Sequence, residues 1–163
     1  MAKSDLTADF VRQTFDYDPT TGLLVRKTSS GGQRAGAVVS CRDKHGYITV
    51  MIRGRNYMAH RLAWLHVYGT WPSRGLDHIN GNRADNRICN LRDVCQSVNM
   101  QNQRKARSNN KCGLLGVCRN RDRWRATIKD GPRVRHLGTF DTPEQAHESY
   151  LIAKRALHIG GTL

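Results

Sequence analysis

An α+β chain built from small modules is the fold class this sequence predicts, on three observations. Short alternating apolar runs bounded by Gly, Pro, Asn and Asp recur through its 163 residues, the pattern of short antiparallel strands. Helical periodicity is brief, apart from one longer stretch near the C-terminus. Basic side chains crowd the last third of the chain, so the composition changes along a length that could bury one or two small cores.

The elements follow in order. An N-terminal scaffold of strands and helices opens with a helical signal over 6–15. Next comes the turn Asp18-Pro19-Thr20-Thr21-Gly22, where Pro fixes φ and Gly permits φ > 0. Leu23-Leu24-Val25 reads as a strand, and 46–52 with 56–59 as a hairpin around Gly54. A helix from 60 to about 67 brings Leu62, Ala63, Trp64 and Leu65 toward a core, and Trp71-Pro72 should stop it. From 75 to 103 the pattern is strand (76–79), polar loop (80–87), returning strand (90–94) and helix from 96.

The polar, aperiodic stretch 104–111 reads as a basic linker. Residues 112–163 read as a three-stranded antiparallel sheet packed on one helix, with strands at 116–119, 123–129 and 133–137. Thr142 as N-cap, Pro143 at N1 and Gln145 at N3 start the helix. Its apolar stripe is Ala146, Tyr150, Ala153 and Leu157, and Gly160 ends it.

Charge narrows the partners. Lys and Arg number 27 against 13 Asp and Glu, a formal charge of +14, which favours a polyanion. No apolar run approaches the roughly 20 residues that span a bilayer, so the polyanion expected is nucleic acid and the compartment the cytoplasm. The five cysteines are odd in number and never spaced Cys-x-x-Cys, which signals neither a disulfide framework nor a zinc ribbon.

One run concentrates chemistry. Leu76-Asp77-His78-Ile79 precedes an Asn-rich loop, Asn90-Leu91-Arg92 lies on its far side, and Asn99 falls on the next helix. Phosphodiester hydrolysis needs a cation against developing charge and a base for water. Asp77 offers a hard anionic oxygen and Asn99 a neutral amide oxygen, a pair suited to Mg²⁺ or Mn²⁺. His78, with an ordinary imidazole pKa near 6.5, can take a proton at working pH, its other ring nitrogen bonded to a carbonyl. Asn90 can tie the loop's backbone through its amide. Neighbours in a regular strand face opposite ways, so Asp77 and His78 serve one site only through a bulge, a strand end or a metal at the strand's edge. Asn82, Asp85 and Asn86 read as loop-shaping residues, and His45, His60 and His66 as structural or surface groups.

These residues resemble the HNH endonucleases, the ββα-metal nucleases, over roughly 60–103, and in particular the phage and intron homing type. Tyr17-Asp18-Pro19 and Ala59-His60-Arg61-Leu62-Ala63-Trp64 are similar to that group too. The resemblance implies that Asp77 and Asn99 hold one divalent ion, that His78 is the general base, and that Asn90 braces the loop. Asn at position 99, where many relatives have His, matches the homing subgroup.

The remaining basic residues are the expected grip on double-stranded DNA: Arg104, Lys105, Arg107 and Lys111 in the linker, then Arg119, Arg121, Arg123, Arg125, Thr127, Lys129, Arg133 and Arg135. Trp124, Ala126 and Ile128 alternate with Arg123, Arg125, Thr127 and Lys129, so one face of the sheet is lined with cations. Residues 112–161 resemble the ethylene-response-factor (APETALA-type) DNA-binding domain. The likeness is carried by Gly116-Val117, Trp124-Arg125-Ala126, Leu137-Gly138-Thr139-Phe140-Asp141-Thr142 and the helix after it. The sequence leaves open whether Arg133 and Arg135 or His136 share the basic face. The chain therefore reads as a phage-type metal-dependent DNA endonuclease acting as a monomer or transient dimer on DNA. The alternatives are a non-catalytic DNA-binding regulator and an RNA-binding or RNA-cleaving module.

Overall fold

The computed structural model of the chain describes residues 6–103, 106 and 110–158. It is a mixture of small antiparallel sheets and four α-helices, divided into two compact units at Val94 and Cys95. Among the described residues no helix is long and apolar enough to cross a membrane.

In the first unit, α1 (Ala8–Thr14) starts at Thr7, whose hydroxyl accepts from the Phe10 amide and satisfies one open donor of the first turn. The sequence pattern predicts this helix to 15. The chain instead leaves it at Phe15 for a strand, β1 (Phe15–Asp18), which pairs with β2 (Leu23–Arg26). Asp18 fixes the turn between them through the Thr20 and Thr21 hydroxyls. A second hairpin joins β3 (Thr49–Ile52) to β4 (Arg55–Met58), which runs straight into α2 (Ala59–Tyr68). That helix ends at Gly69, with φ 74° and its amide on the Leu65 carbonyl, two residues before the Trp71-Pro72 stop expected from sequence. A left-handed glycine cap suffices to end a helix.

The first core joins these pieces: Leu6, Val11, Phe15, Leu24, Ile48, Val50, Ile52, Ala59, Leu62 and Leu65 are buried together. Trp64, expected in that core, is only half-buried and packs on Tyr68. Arg26 is buried as well, its guanidinium over the Phe15 ring and bonded to the Met51 carbonyl. The unit ends in a two-stranded ribbon, β5 (Gly75–His78) against β6 (Leu91–Val94). Asp93 anchors the entry to β5 by accepting from the Ser73 and Arg74 amides.

The second unit holds α3 (Gln96–Gln101) and the sheet β7 (Val117–Asn120), β8 (Arg123–Asp130) and β9 (Arg133–Phe140), in that order, with α4 (Pro143–Leu157). Thr142 caps α4, accepting from the Gln145 amide, and Pro143 sits in its first turn. His158 is the C-cap; Gly160, the expected stop, lies outside the described residues. Val117, Ala126 and Ala146 form the core, lined by Trp124, Leu137 and Phe140. The buried face of α4 also contains Lys154, which the apolar stripe did not anticipate; its ammonium donates to the Gln103 carbonyl at 2.7 Å.

Close packing of α4 on the sheet depends on Gly116. At φ +77°, a β-carbon there would lie 2.0 Å from Cδ2 of Tyr150. Gly116→Ala combines overpacking with left-handed strain and should cost the second unit about 2–4 kcal/mol. Urea unfolding followed by fluorescence should show this loss; an unchanged midpoint would contradict the packing described.

Candidate functional site

Asp77 and His78 are the last two residues of β5, and both are buried. The ribbon is regular there, with Asp77 opposite Arg92 and His78 opposite Leu91. His78 is the last paired residue of β5, and with the pairing regular through both positions it stands on the face of the ribbon opposite Asp77. Its imidazole is 4.9 Å, ring to ring, from His60 on α2 and 5.9 Å from Tyr47. Its Nε2 lies 3.1 Å from the side-chain oxygen of Asn86. The carbonyl expected on the second ring nitrogen is thus the side chain of Asn86, a residue whose sequence context predicts only a loop-shaping role.

Burial lowers the His78 pKa below the ordinary imidazole value, outweighing the Asn86 hydrogen bond and the Asp77 charge, which raise it. The ring is neutral at physiological pH, the state a proton acceptor needs. Burial acts more strongly on His60, whose pKa falls to about 3.

The loop between the strands is closed from inside. Asn90 is buried; its oxygen accepts from the Asn80 amide, and its NH₂ group donates to the Asn80 side-chain oxygen and the Asp85 carbonyl. Just ahead of β6, its own carbonyl accepts from Ile79. Asp85 in turn accepts from Asn80 and, bidentately, from Arg87; the Arg87 contact holds the Asp85 pKa down at about 2.

Asp77 is engaged by Arg92, whose Nε and Nη2 reach the same oxygen, Oδ2, at 3.0 and 2.7 Å. A carboxylate stripped of most of its water is stabilised by such a fork. Asn99 lies on α3, in the second unit. Among the described residues no three His, Cys, Asp or Glu side chains gather as a metal cage. A carboxylate oxygen such as those of Asp77 suits a hard divalent ion that keeps most of its water.

Residues 57–101 match the HNH endonuclease family model. The matched stretch runs from β4 to the end of α3 and contains His60, Asp77, His78, Asn90 and Asn99. No curated protein and no solved structure matches the chain. The HNH match supports a nuclease, and hence a hydrolase of nucleic acid.

The second unit carries most of the expected DNA-binding residues. Arg104, Lys105 and Arg107 lie outside the described residues, and Lys111 is exposed in a turn. Arg125, Thr127 and Lys129 occupy the face of β8 opposite the buried Ala126 and Ile128. A register shift between Ala126 and Thr127 pairs Thr127 with His136 and Lys129 with Val134. His136 and Val134 therefore join the basic face. Arg133 and Arg135 stand opposite Asp130 and Ile128, on the other face, and Arg135 pairs with Asp130 at 2.6 Å. Arg119 likewise stands opposite Trp124, Arg121 occupies a left-handed turn position at φ 56°, and Arg123 pairs with Asp141. The shift has a packing cause: a one-residue slip exchanges faces, and here it lets Leu137 pack on the core.

His60 gives the first unit a pH-dependent stability. The unfolded chain takes a proton on this residue near 6.5, whereas the fold refuses it until about 3. Between those values the unfolded state binds more protons, so stability falls as pH drops, by up to about 1.4 kcal/mol per pH unit. Urea titrations between about pH 6.5 and 5.5 should show this slope, reduced in His60→Gln. An equal slope in both proteins would count against a neutral buried His60.

Proposed function

We propose that the chain is a metal-dependent DNA endonuclease of the phage homing type. Its nuclease unit cuts a phosphodiester, and its C-terminal sheet, read as an ethylene-response-factor-type domain, holds duplex DNA. The observation that carries the reading is a neutral, buried His78 at a strand end, beside Asp77 and the Asn90-closed loop, inside the stretch that matches the HNH model.

In this reading the unprotonated ring nitrogen of His78 accepts a proton from a water molecule as that water's oxygen bonds to phosphorus. The bond from phosphorus to the 3′ oxygen breaks, the departing oxygen takes a proton from solvent, and the products are a 3′-hydroxyl and a 5′-phosphate. Asp77 and Asn99 would hold one Mg²⁺ or Mn²⁺. When bound, the ion would neutralise charge on the phosphate and the leaving oxygen. Asn90 keeps the loop, and so the imidazole, in place. The protein works in the cytoplasm as a monomer or transient dimer, since one nuclease unit cuts one strand per engagement.

The sheet supplies affinity. Arg125, Thr127 and Lys129, with His136 added by the register shift, form the face offered to duplex DNA. Lys111, Arg119, Arg121, Arg123, Arg133 and Arg135 contribute from the turns, the edges and the other face, and Arg104, Lys105 and Arg107 add positive charge for the phosphate backbone.

Incubation of the purified chain with supercoiled plasmid and Mg²⁺ or Mn²⁺ should produce nicked or linear DNA, and chelation should stop it. His78→Ala should reduce kcat by about 10²–10⁴-fold while leaving the Kd for DNA within about twofold. DNA bound but left intact with either ion would refute the nuclease. Replacing Arg125 and Lys129 together with Gln should flatten the slope of log K against log salt by up to about 2. An unchanged slope would move the DNA grip elsewhere.

A further inference from the structure

The β1–β2 hairpin, far upstream of the HNH match, reaches the loop at the Asn86–Arg87 peptide. Tyr17 on β1 donates its hydroxyl to the backbone carbonyl of Asn86 at 2.8 Å, across 69 positions of sequence. Gly22, at the end of the hairpin turn with φ +76°, presses on the same peptide. A β-carbon there would lie 2.6 Å from the Asn86 carbonyl carbon and 2.4 Å from the Arg87 nitrogen. The Asn86 backbone is thus held by a hydrogen bond and by a close backbone approach that only glycine allows.

The side chain of Asn86 points the other way, to the site. The residue is 4% exposed, and its amide oxygen lies 3.1 Å from Nε2 of His78. An amide oxygen only accepts, so the nitrogen facing it must carry the proton, and in a neutral imidazole the lone pair then sits on Nδ1.

We propose that Asn86 is the positioning residue for His78 and that the β1–β2 hairpin belongs to the nuclease centre. Tyr17 and Gly22 fix the Asn86 backbone, and Asn86 fixes the imidazole as the Nε2–H tautomer with Nδ1 as the proton acceptor. The catalytic consequence rests on the nuclease reading; the tautomer rests on geometry alone. The arrangement holds across working pH, because burial pushes the Tyr17 phenol up to about 12 and it remains a donor throughout. It also accounts for a small hairpin standing outside the HNH match yet reaching into its loop. Aim at a reacting proton is lost within fractions of an ångström, so the backbone that carries the aiming group has to be held as firmly as the group itself.

The test uses the full chain with ¹⁵N-labelled histidine. Long-range ¹H–¹⁵N spectra at about pH 8, where imidazoles are neutral, identify each tautomer, and His78→Gln identifies the signals of residue 78. The expected result is a single Nε2–H tautomer in the wild type, retained in Asn86→Asp, which keeps the acceptor, and lost to a mixture in Asn86→Leu. In cleavage assays Asn86→Leu should lower kcat by about 10–100-fold with KM within about threefold, and Asn86→Asp should restore most of the rate. An Nδ1–H tautomer in the wild type would overturn the proposal, as would a tautomer unmoved in folded Asn86→Leu. Should Asn86→Leu fail to fold by circular dichroism, the wild-type tautomer and its retention in Asn86→Asp decide on their own. A wild type that keeps the Nε2–H tautomer but never cuts DNA would sink the nuclease reading and leave the positioning intact.

Discussion

A neutral imidazole enclosed at the end of a strand is the constraint on which the first unit turns. Burial favours the uncharged form of His78, and a buried imidazole needs a polar partner or it loses hydrogen-bonding energy. The loop that supplies the partner is eight residues of Asn, Asp, Arg, Gly and Ala, too polar to hold itself by apolar packing. Its shape comes from hydrogen bonds converging on Asn90, which ties both its start, at Asn80, and its middle, at Asp85. The apolar core of the unit is built elsewhere, from α1, α2 and the two hairpins. It positions the loop by supporting its edges, through Tyr17 and Gly22 on one side and α2 with His60 on the other.

The second unit solves a different problem, that of keeping a basic face flat and free while a three-stranded sheet buries its other side. Alternation on β8 does most of this. On β9 alternation fails, because Arg133, Arg135 and Leu137 share one phase and cannot all face outward if Leu137 is to reach the core. The register shift at Ala126 and Thr127 resolves the conflict in favour of packing, sending the arginines to the helix side and His136 to the basic face. Even the partial burial of Leu137, a fraction of the roughly 1.5–3 kcal/mol for a fully buried leucine, outweighs the small cost of moving exposed charges.

Much of this was legible in the sequence. The Asp-His pair, the spacing to Asn90 and Asn99, the three C-terminal strands and the Thr142 cap are all local signals, fixed by residue type over a few positions. What escaped depends on contacts between distant segments. The pairing of β1 with β2 turned the end of an expected helix into a strand. Asn86 looked like one loop residue among several until Tyr17 and Gly22 came against it. Lys154 sits on an apolar stripe because a carbonyl at Gln103 awaits its ammonium. The face of His136 follows from a shift that no single strand encodes. The end of α2 near residue 67 was legible too, although Gly69 stops it rather than the Trp71-Pro72 pair.

Asn90, Leu91 and Arg92 show how much one short strand can be asked to do. Asn90 closes the loop just before β6 begins, Leu91 turns into the interior, and Arg92 turns the opposite way to fork onto Asp77. Alternation makes this possible, since residues 91 and 92 must point to different faces of the ribbon. The same geometry makes the register exacting. A slip of one residue between β5 and β6 would bring an apolar Leu91 against a buried carboxylate and leave a guanidinium where the interior expects a hydrocarbon. The pairing of these strands is therefore set by charge as firmly as by packing, and the placement of His78 at the strand's end follows from that pairing.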